Sequence, residues 1–376
     1  MPPDICVLVP TVRDFRFFQR YVTNAKTFEF DLARIAVLFI TEDEADKKGM
    51  ENYANSLAVE ALVYGETERE CWFRENSLSE YSDLIPRRSH AETSFGLLWA
   101  WNEPSIRYVV MLDDDTAPVQ TMDYFGTHIK NLEYSGPVTR VGSDKNWVNV
   151  LFQNFRRHRL YARGYPYSCM GEKPWLETAE SRPVHVSQGL WTLCPDIDAA
   201  RTLCIGSLEA HSAIETEAED FPYCFTVAPD HFPTLSSMNL AVRRIVIPAF
   251  YQLPMDDNPY GIGRFDDTWS GLFLKKILDS IGADVITGYP LCQHQKALRN
   301  IFRDLLPESS GLELNEHLWK LLLQVEQLPR EFFDAYQTVG QNMIDFSTSC
   351  TNSGFVKYMG MKMIKWVQCC RKIRAS

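Results

Sequence analysis

The chain has 376 residues, with 38 Lys and Arg against 49 Asp and Glu, giving a formal net charge of −11. That acidity excludes a general nucleic-acid binder, which must neutralise a phosphate backbone with basic side chains. Hydrophobic residues make up 45% and charged residues 23%, the balance of a globular protein, with a length suited to about two domains or to one large α/β domain with an appendage.

In chain order, Ile5–Val9 reads as a buried strand and Phe15–Val22 as the helix after it. Ile35–Ile40 is a second strand, closed by Thr41-Glu42-Asp43-Glu44, whose hydroxyl and acids suit the start of a helix near 43–58. Glu92–Trp101 carries Phe95, Leu98 and Trp99 at helical spacing, and Tyr108–Leu112 is a third strand. Short apolar runs alternating with amphipathic stretches predict a parallel sheet covered by helices. The third strand runs into Asp113-Asp114-Asp115, and open α/β sheets bind ligands beyond the carboxyl ends of their strands. Residues 136–235, rich in Pro, Tyr, Trp and His without a sustained period, are expected to form loops and short strands over a pocket. A helix is predicted from Asp267, with Gly282 placed to end it, then a strand over Asp284–Thr287. Helices follow over Leu312–Val325, Arg330–Ile344 and Gly354–Lys372, and a boundary near 305 divides the chain into domains 1–305 and 306–376.

The ten cysteines show no C-x-x-C and no regular spacing, which predicts reduced, mostly buried thiols. The N-terminal apolar run is short and has no basic segment before it, so no secretion signal is expected, and no stretch reaches the ~18–20 apolar residues of a membrane span. A cytoplasmic protein is expected. The stretch 355–376 holds Lys357, Lys362, Lys365, Arg371, Lys372 and Arg374 and no acid. It suits either an amphipathic helix on an anionic membrane, with Cys369-Cys370 as an acylation site, or a helix packed on the chain's own acidic surface or on another subunit of a homo-oligomer.

Asp113-x-Asp115 is the strongest local signal, because two carboxylates on a tight turn can hold a hard divalent ion while a diphosphate fills its remaining positions. A solvated acidic loop is the plain alternative, but three successive acids repel one another without a cation. Asp266-Asp267 opens the later helix; Asp267 or Thr268 would serve as N-cap, leaving Asp266 for function. Arg163-Gly164-Tyr165-Pro166-Tyr167-Ser168 joins a phosphate-binding fork to a turn and two aromatic rings that either stack on a sugar or base or simply pack. His294 and Lys296 follow the Asp284–Thr287 strand. Gly261-Ile262-Gly263-Arg264 lacks a third glycine and a preceding strand, so neither flavin nor NAD is expected, and no P-loop, zinc spacing or Gly-x-Ser-x-Gly is present.

Taken in order, Leu112–Asp115, Arg163–Ser168, Ser187-Gln188-Gly189-Leu190-Trp191, Ser237-Met238-Asn239-Leu240-Ala241, Ile262–Trp269 and His294-x-Lys296 resemble the reversibly glycosylated polypeptide family, which contains UDP-arabinopyranose mutases. The resemblance spans roughly 5–300, is strong from 108, and is not seen beyond 305. It implies a glycosyltransferase-A-like α/β domain with a C-terminal helical region, binding a nucleoside diphosphate sugar with Mn2+ or Mg2+. By the same resemblance Asp113 and Asp115 take the metal and diphosphate, His294 completes the coordination, and Lys296 reaches a phosphate. Arg163 matches the family arginine of reversible self-glycosylation and meets the anomeric carbon or the leaving diphosphate; Asp266 and Asp267 meet sugar hydroxyls, one as general base. Asp114, Tyr165, Trp191, Asn239 and Arg264 complete the substrate-binding set. Thr116 stands where the family has Cys, and Gln293 and Gln295 flank His294 in place of the usual residues, so base and sugar stay open between UDP and GDP donors.

The implied reaction is interconversion of pyranose and furanose rings while the metal and Lys296 support the departing diphosphate. A guanidinium that stays protonated is a poor nucleophile, so electrostatic support of a short-lived oxocarbenium suits Arg163 better than a covalent adduct. A glycosyltransferase that passes the sugar to an acceptor, and a non-catalytic partner subunit, are the alternatives.

Overall fold

Uninterrupted apolar runs make the first strands. β1 (Ile5–Pro10), β2 (Ile35–Ile40), β3 (Glu60–Tyr64) and β4 (Tyr108–Leu112) run parallel in the order β3-β2-β1-β4. Successive side chains point to opposite faces, so a continuous apolar strand is one covered on both sides. Ile5, Val7 and Val9 pack with α1 (Phe18–Thr27) and α2 (Lys47–Ala54), whereas Cys6 and Leu8 share a core with α3 (Glu66–Glu75) and α4 (Glu92–Asn102). The computed structural model describes residues 2–375 except 12, 43–45, 88, 90, 207, 209–212, 256–257, 299 and 351. Asp43 and Glu44, expected at a helix start, therefore lie outside the described residues. The first predicted helix is split into a 3₁₀ turn over Phe15–Phe17, capped by Asp14, and α1 proper.

The sheet continues with β5 (Thr116–Pro118), β6 (Pro137–Ser143), β8 (Pro174–Glu180), β9 (Val184–Leu193), β10 (Phe225–Val227), β12 (Asn239–Arg243) and β13 (Asp284–His294), with α5 (Tyr124–Leu132), α6 (Ala199–Ile205) and α7 (Asp266–Ile281) between them. β7 (Trp147–Val148) and β11 (Phe232–Pro233) form a separate pair. Beyond β4 the order is β12-β9-β13-β10-β6-β8. β12 is antiparallel to β4 and to β9, and β13 is parallel to β9, so β1, β4, β9 and β13 all end along one edge, where β12 begins. Gly282 ends α7 with φ of 76°, a left-handed conformation that a Cβ disfavours.

The segment expected to be mostly loops thus contains β9, a ten-residue central strand. Ser187, Gln188 and Thr192 break its apolar run and hid it, yet all three are buried. Ser187 is accommodated by a polar knot. The Asn239 side chain donates to the carbonyls of Leu190 and Pro290, at 3.0 Å each, and accepts from the Tyr124 hydroxyl at 2.7 Å and from His128 Nε2 at 3.0 Å. An amide oxygen only accepts, so Nε2 carries the proton and His128 Nδ1 accepts from Ser187 Oγ at 3.0 Å. Burial pushes the His128 pKa down to about 3, which keeps the ring neutral. β13 likewise runs past Thr287 through a register shift between Gly288 and Cys292 to end on His294.

α8 (Ile301–Gln324), α9 (Phe332–Phe346) and α10 (Ser353–Ala375) follow. α8 runs through residue 305, and Leu314, Leu318, Met359, Met363 and Trp366 join the same apolar core as α4 and α7. Trp366 stacks on Tyr251 and donates to the Ile247 carbonyl at 3.0 Å. The cations of α10 turn to the chain's own acids: Lys362 and Lys365 to Asp83, Arg371 to Asp334, and Lys372 to Glu80. Cys369 and Cys370, an acylation site only under the membrane alternative, are buried. α10 thus packs on acids of its own chain. Among the described residues no helix is long and apolar enough to cross a membrane. The arrangement is the α/β one expected, with a helical C-terminal region.

Candidate active site

At the carboxyl edge, β4 turns through Asp113–Asp115 directly into β5, which pairs antiparallel with the end of β13, Thr116 opposite His294. That pairing brings His294 Nε2 to 3.8 Å from Asp115 Oδ2, and the Gln295 amide donates to the Asp115 carbonyl at 2.8 Å. His294 Nδ1 lies 2.7 Å from the Cys194 carbonyl. A carbonyl only accepts, so Nδ1 holds a proton and the Nε2 edge of the ring is turned to the Asp115 side. Thr116 Oγ1 donates to the Asp113 carbonyl at 2.8 Å and accepts from the Tyr21 hydroxyl at 2.7 Å, fixing the turn against α1. Asp114 accepts from Thr11 Oγ1 at 2.8 Å and pairs with Arg13, tying the turn to the loop after β1; Arg13 Nη1 also lies 3.5 Å from Asp115. Burial, and then the charges of Asp115, Asp267, Asp114 and Asp196, push the Asp113 carboxyl well above the usual carboxylate range.

Arg163 is the centre of the second half of the site. Its Nε donates to Asp196 at 3.2 Å, Nη2 to Asp267 Oδ2 at 2.9 Å, and Nη1 to the Arg264 carbonyl. Its amide donates to the Asp196 carbonyl at 2.9 Å. Burial opposes the cation, but Asp196 and Asp267 outweigh it and hold the guanidinium more firmly protonated than usual. At Asp196 burial opposes the charge in turn, and Arg163, Lys296, His294 and Arg264 override it, lowering its pKa. Lys296 is buried near this carboxylate. The expected N-cap role of Asp267 is not what it does. Phe265 is the N-cap of α7, without a side-chain bond, and Asp267 sits in the first turn facing Arg163 and the Ser237 amide, the latter at 3.2 Å. Asp266, beside it, is half-buried.

α8 runs behind these loops. Glu308 Oε1 accepts from Arg264 Nε and Oε2 from the Ala199 amide, at 2.6 and 2.7 Å. Asn315 donates to the Gly164 carbonyl at 2.8 Å and accepts from Trp269 Nε1 at 2.9 Å, and Glu316 accepts from the Tyr167 and Ser168 amides. The approach depends on Gly311, where a Cβ would come within 2.4 Å of the Phe265 ring. Arg264 itself has φ of 65°, an uncommon conformation for a side chain of its size.

Of the residues singled out from sequence, Asp115 and His294 meet at the turn that also carries Asp113, and Arg163 and Asp267 meet each other, with Lys296 close to Asp196 and Arg264 contributing its carbonyl. Three others are buried inside the fold. Tyr165 packs against Trp147 and Tyr161 and donates to the Cys169 carbonyl at 3.1 Å; Trp191 lies in the core shared with α1 and α5; Asn239 is saturated by the knot. Asp196, Arg13, Glu308 and Asn315 were not read from the sequence. Asp196 and Arg13 follow the ends of β9 and β1 as Asp113 follows β4, so the strand-end rule finds them once β9 is known. The α8 residues carry no local signal.

Among the described residues no three His, Cys, Asp or Glu side chains close on one point as in a finished metal centre. The donor set of Asp113, Asp115 and His294 nonetheless suits a hard divalent ion of the kind bound by one or two carboxylates together with substrate phosphates, rather than by a protein cage. The crowding of carboxylates around Asp113 favours added positive charge.

Residues 75–375 match the family described as reversibly glycosylated polypeptide, so the likeness extends well past 305, where none was read. A probable UDP-arabinopyranose mutase 1 of Solanum tuberosum is 30% identical over 269 residues, 70% of this chain and 67% of that protein. UDP-arabinopyranose mutase 3 of Arabidopsis thaliana is 32% identical over 226 residues, 60% of this chain and 57% of that protein. The matched segments thus span from just over half to two-thirds of the length of these relatives. A mannosyltransferase of Pyrobaculum calidifontis, solved with GDP-Man and Mn2+, aligns with all of this chain and 86% of its own at 12% identity and a TM-score of 0.43.

Proposed function

Because the chain belongs to the reversibly glycosylated polypeptide family, we propose that it is a mutase interconverting pyranose and furanose forms of a nucleoside diphosphate sugar, with UDP-arabinose, named in its relatives, as the first candidate. The observation that carries this reading is the Arg163 guanidinium, buried and clamped by Asp196 and Asp267 on the same sheet edge as the acidic turn. A mutase must hold both halves of the substrate while the bond between them is broken, and a fixed cation beside fixed carboxylates does that for two opposite charges.

Asp113, Asp115 and His294 would hold Mn2+ or Mg2+, which when bound supplies charge neutralisation for the diphosphate. Lys296 and Arg163 face that diphosphate as the C1–O bond breaks and the electron pair leaves with it. A guanidinium gripped by two carboxylates remains a cation, so it repels an oxocarbenium and supports the leaving anion instead; the positive sugar is matched by Asp267 and its neighbours. The 4-hydroxyl then closes on C1, giving up its proton, and the former ring oxygen leaves C1 and takes a proton as diphosphate returns. Asp266 and Asp267 are the carboxylates assigned to the sugar hydroxyls, one of them moving that proton. The cytoplasm, where nucleotide sugars are at hand, is the proposed location.

The test supplies pure UDP-arabinofuranose without acceptor, with Mn2+ or with EDTA, and follows ring forms by NMR. Pyranose appearing with the nucleotide attached, only with the ion present, supports the reading. Turnover that requires an acceptor identifies a glycosyltransferase, and GDP-sugars run in parallel decide the base.

A further inference from the structure

We propose that Glu308, on α8, is a positioning residue for Arg163. Arg163 is held by groups from two segments of chain: Asp196, just ahead of α6, and the stretch from Arg264 to Asp267 at the start of α7. The Glu308 side chain bonds to residues on both sides of this clamp. One oxygen takes the amide of Ala199, the first residue of α6, and the other takes the Arg264 side chain, whose own carbonyl accepts from Arg163. It is 1% exposed, so solvent does not substitute for either bond. The Arg264 backbone, at φ of 65°, is held in place from several sides: Glu308 and Asp304 grip its side chain, and the Pro307 carbonyl accepts from the Gly263 amide at 3.0 Å. Asn315, two turns along α8, fixes the carbonyl of Gly164 next to Arg163 itself. α8 therefore acts as a splint across the three loops that aim the guanidinium, and Glu308 is its junction.

Both partners of Glu308 are donors, so a carboxylate satisfies both and an amide only one. Glu308→Gln sets an N–H against either Ala199 or Arg264 without changing volume. In its kinetic arm the proposal rests on the mutase reading. There, kcat falls about tenfold or more with KM within about twofold, because an aiming defect weakens the transition state and not substrate binding. In an Arg163→Lys background the same change costs less than about twofold, since the group it positions is already gone. A second arm needs no turnover: in ¹⁵N spectra of the arginine side chains, the Arg163 Nε–H signal, identified by its loss in Arg163→Lys, exchanges with water at least about tenfold faster in Glu308→Gln. Glu308→Asp, too short to span both partners, gives the same pattern if the amide variant does not fold. Unchanged Nε–H exchange, or kinetic losses that simply multiply, overturns the proposal. If the parent protein interconverts no ring forms, the mutase reading fails by itself and the exchange arm decides Glu308.

Discussion

The knot around Asn239 and the cluster around Arg163 are both buried and both polar, yet they follow opposite rules. In the knot every partner is neutral: Asn239 makes four hydrogen bonds and His128 is kept uncharged by burial. At the edge, Asp113, Asp114, Asp115, Asp196 and Asp267 crowd against Arg13, Arg163, Arg264 and Lys296, and the Asp113 carboxyl is pushed upward by burial and then by the neighbouring carboxylates. A saturated network stabilises one fold and has nothing left to bind with. An oversupply of one charge at a strand end is costly unless a ligand or ion answers it. The first lies in mid-sheet and the second along the common edge, so topology and chemistry point to the same place.

Breaking the edge should give the largest effect. Asp113→Asn or Asp115→Asn is expected to lower turnover by about a thousandfold, because an amide lacks the charge a hard cation needs. The melting temperature of Asp113→Asn, measured without divalent ions, should hold or rise, since a crowded like charge has been removed. Full turnover in excess EDTA would sink the metal assignment. Next, Arg163→Lys keeps one charge but cannot serve Asp196, Asp267 and the Arg264 carbonyl together. Turnover should drop about a hundredfold while UDP affinity by calorimetry changes little. Parent-level turnover would make Arg163 a fold residue like Asn239.

Disturbing the knot should show up in stability. Asn239→Leu leaves the carbonyls of Leu190 and Pro290 and the donors on Tyr124 and His128 unanswered, and about 2–4 kcal/mol of unfolding free energy should be lost in urea titrations. An equal loss of nucleotide affinity in the folded fraction would instead return Asn239 to the binding surface. The smallest effect is a pH dependence. His128 has a folded pKa of about 3, below its ordinary value, so the unfolded chain takes up the proton first. Its contribution to stability is full above the unfolded pKa near 6.5 and is lost as pH falls from there toward 3. Between pH 7 and pH 5 the melting temperature of His128→Gln should therefore decline less steeply than that of the parent; parallel declines would mean that His128 is not the titrating group.

Features that depend only on neighbouring residues were legible before folding. β2 and β4 are found over the residues predicted, and α7 ends at Gly282 as expected, because an apolar run and a left-handed glycine need only their neighbours to declare themselves. The acidic turn and the Arg163 loop were legible as motifs for the same reason. Tertiary structure alone decided the rest. Ser187 and Gln188 made β9 look like loop, and only partners more than fifty residues away make Ser187 a strand residue. Tyr165, Trp191 and Asn239 carry groups suited to a ligand, and whether such a group meets solvent or the core depends on what the sheet places beside it. Asp196 and Glu308 reach Arg163 and its loops across sequence separations of 33 and, by way of Arg264, 44 and 101 residues. No pattern in a single chain encodes such a pairing, because the energy of an ion pair depends on distance and burial, and both come into being only when the chain has folded.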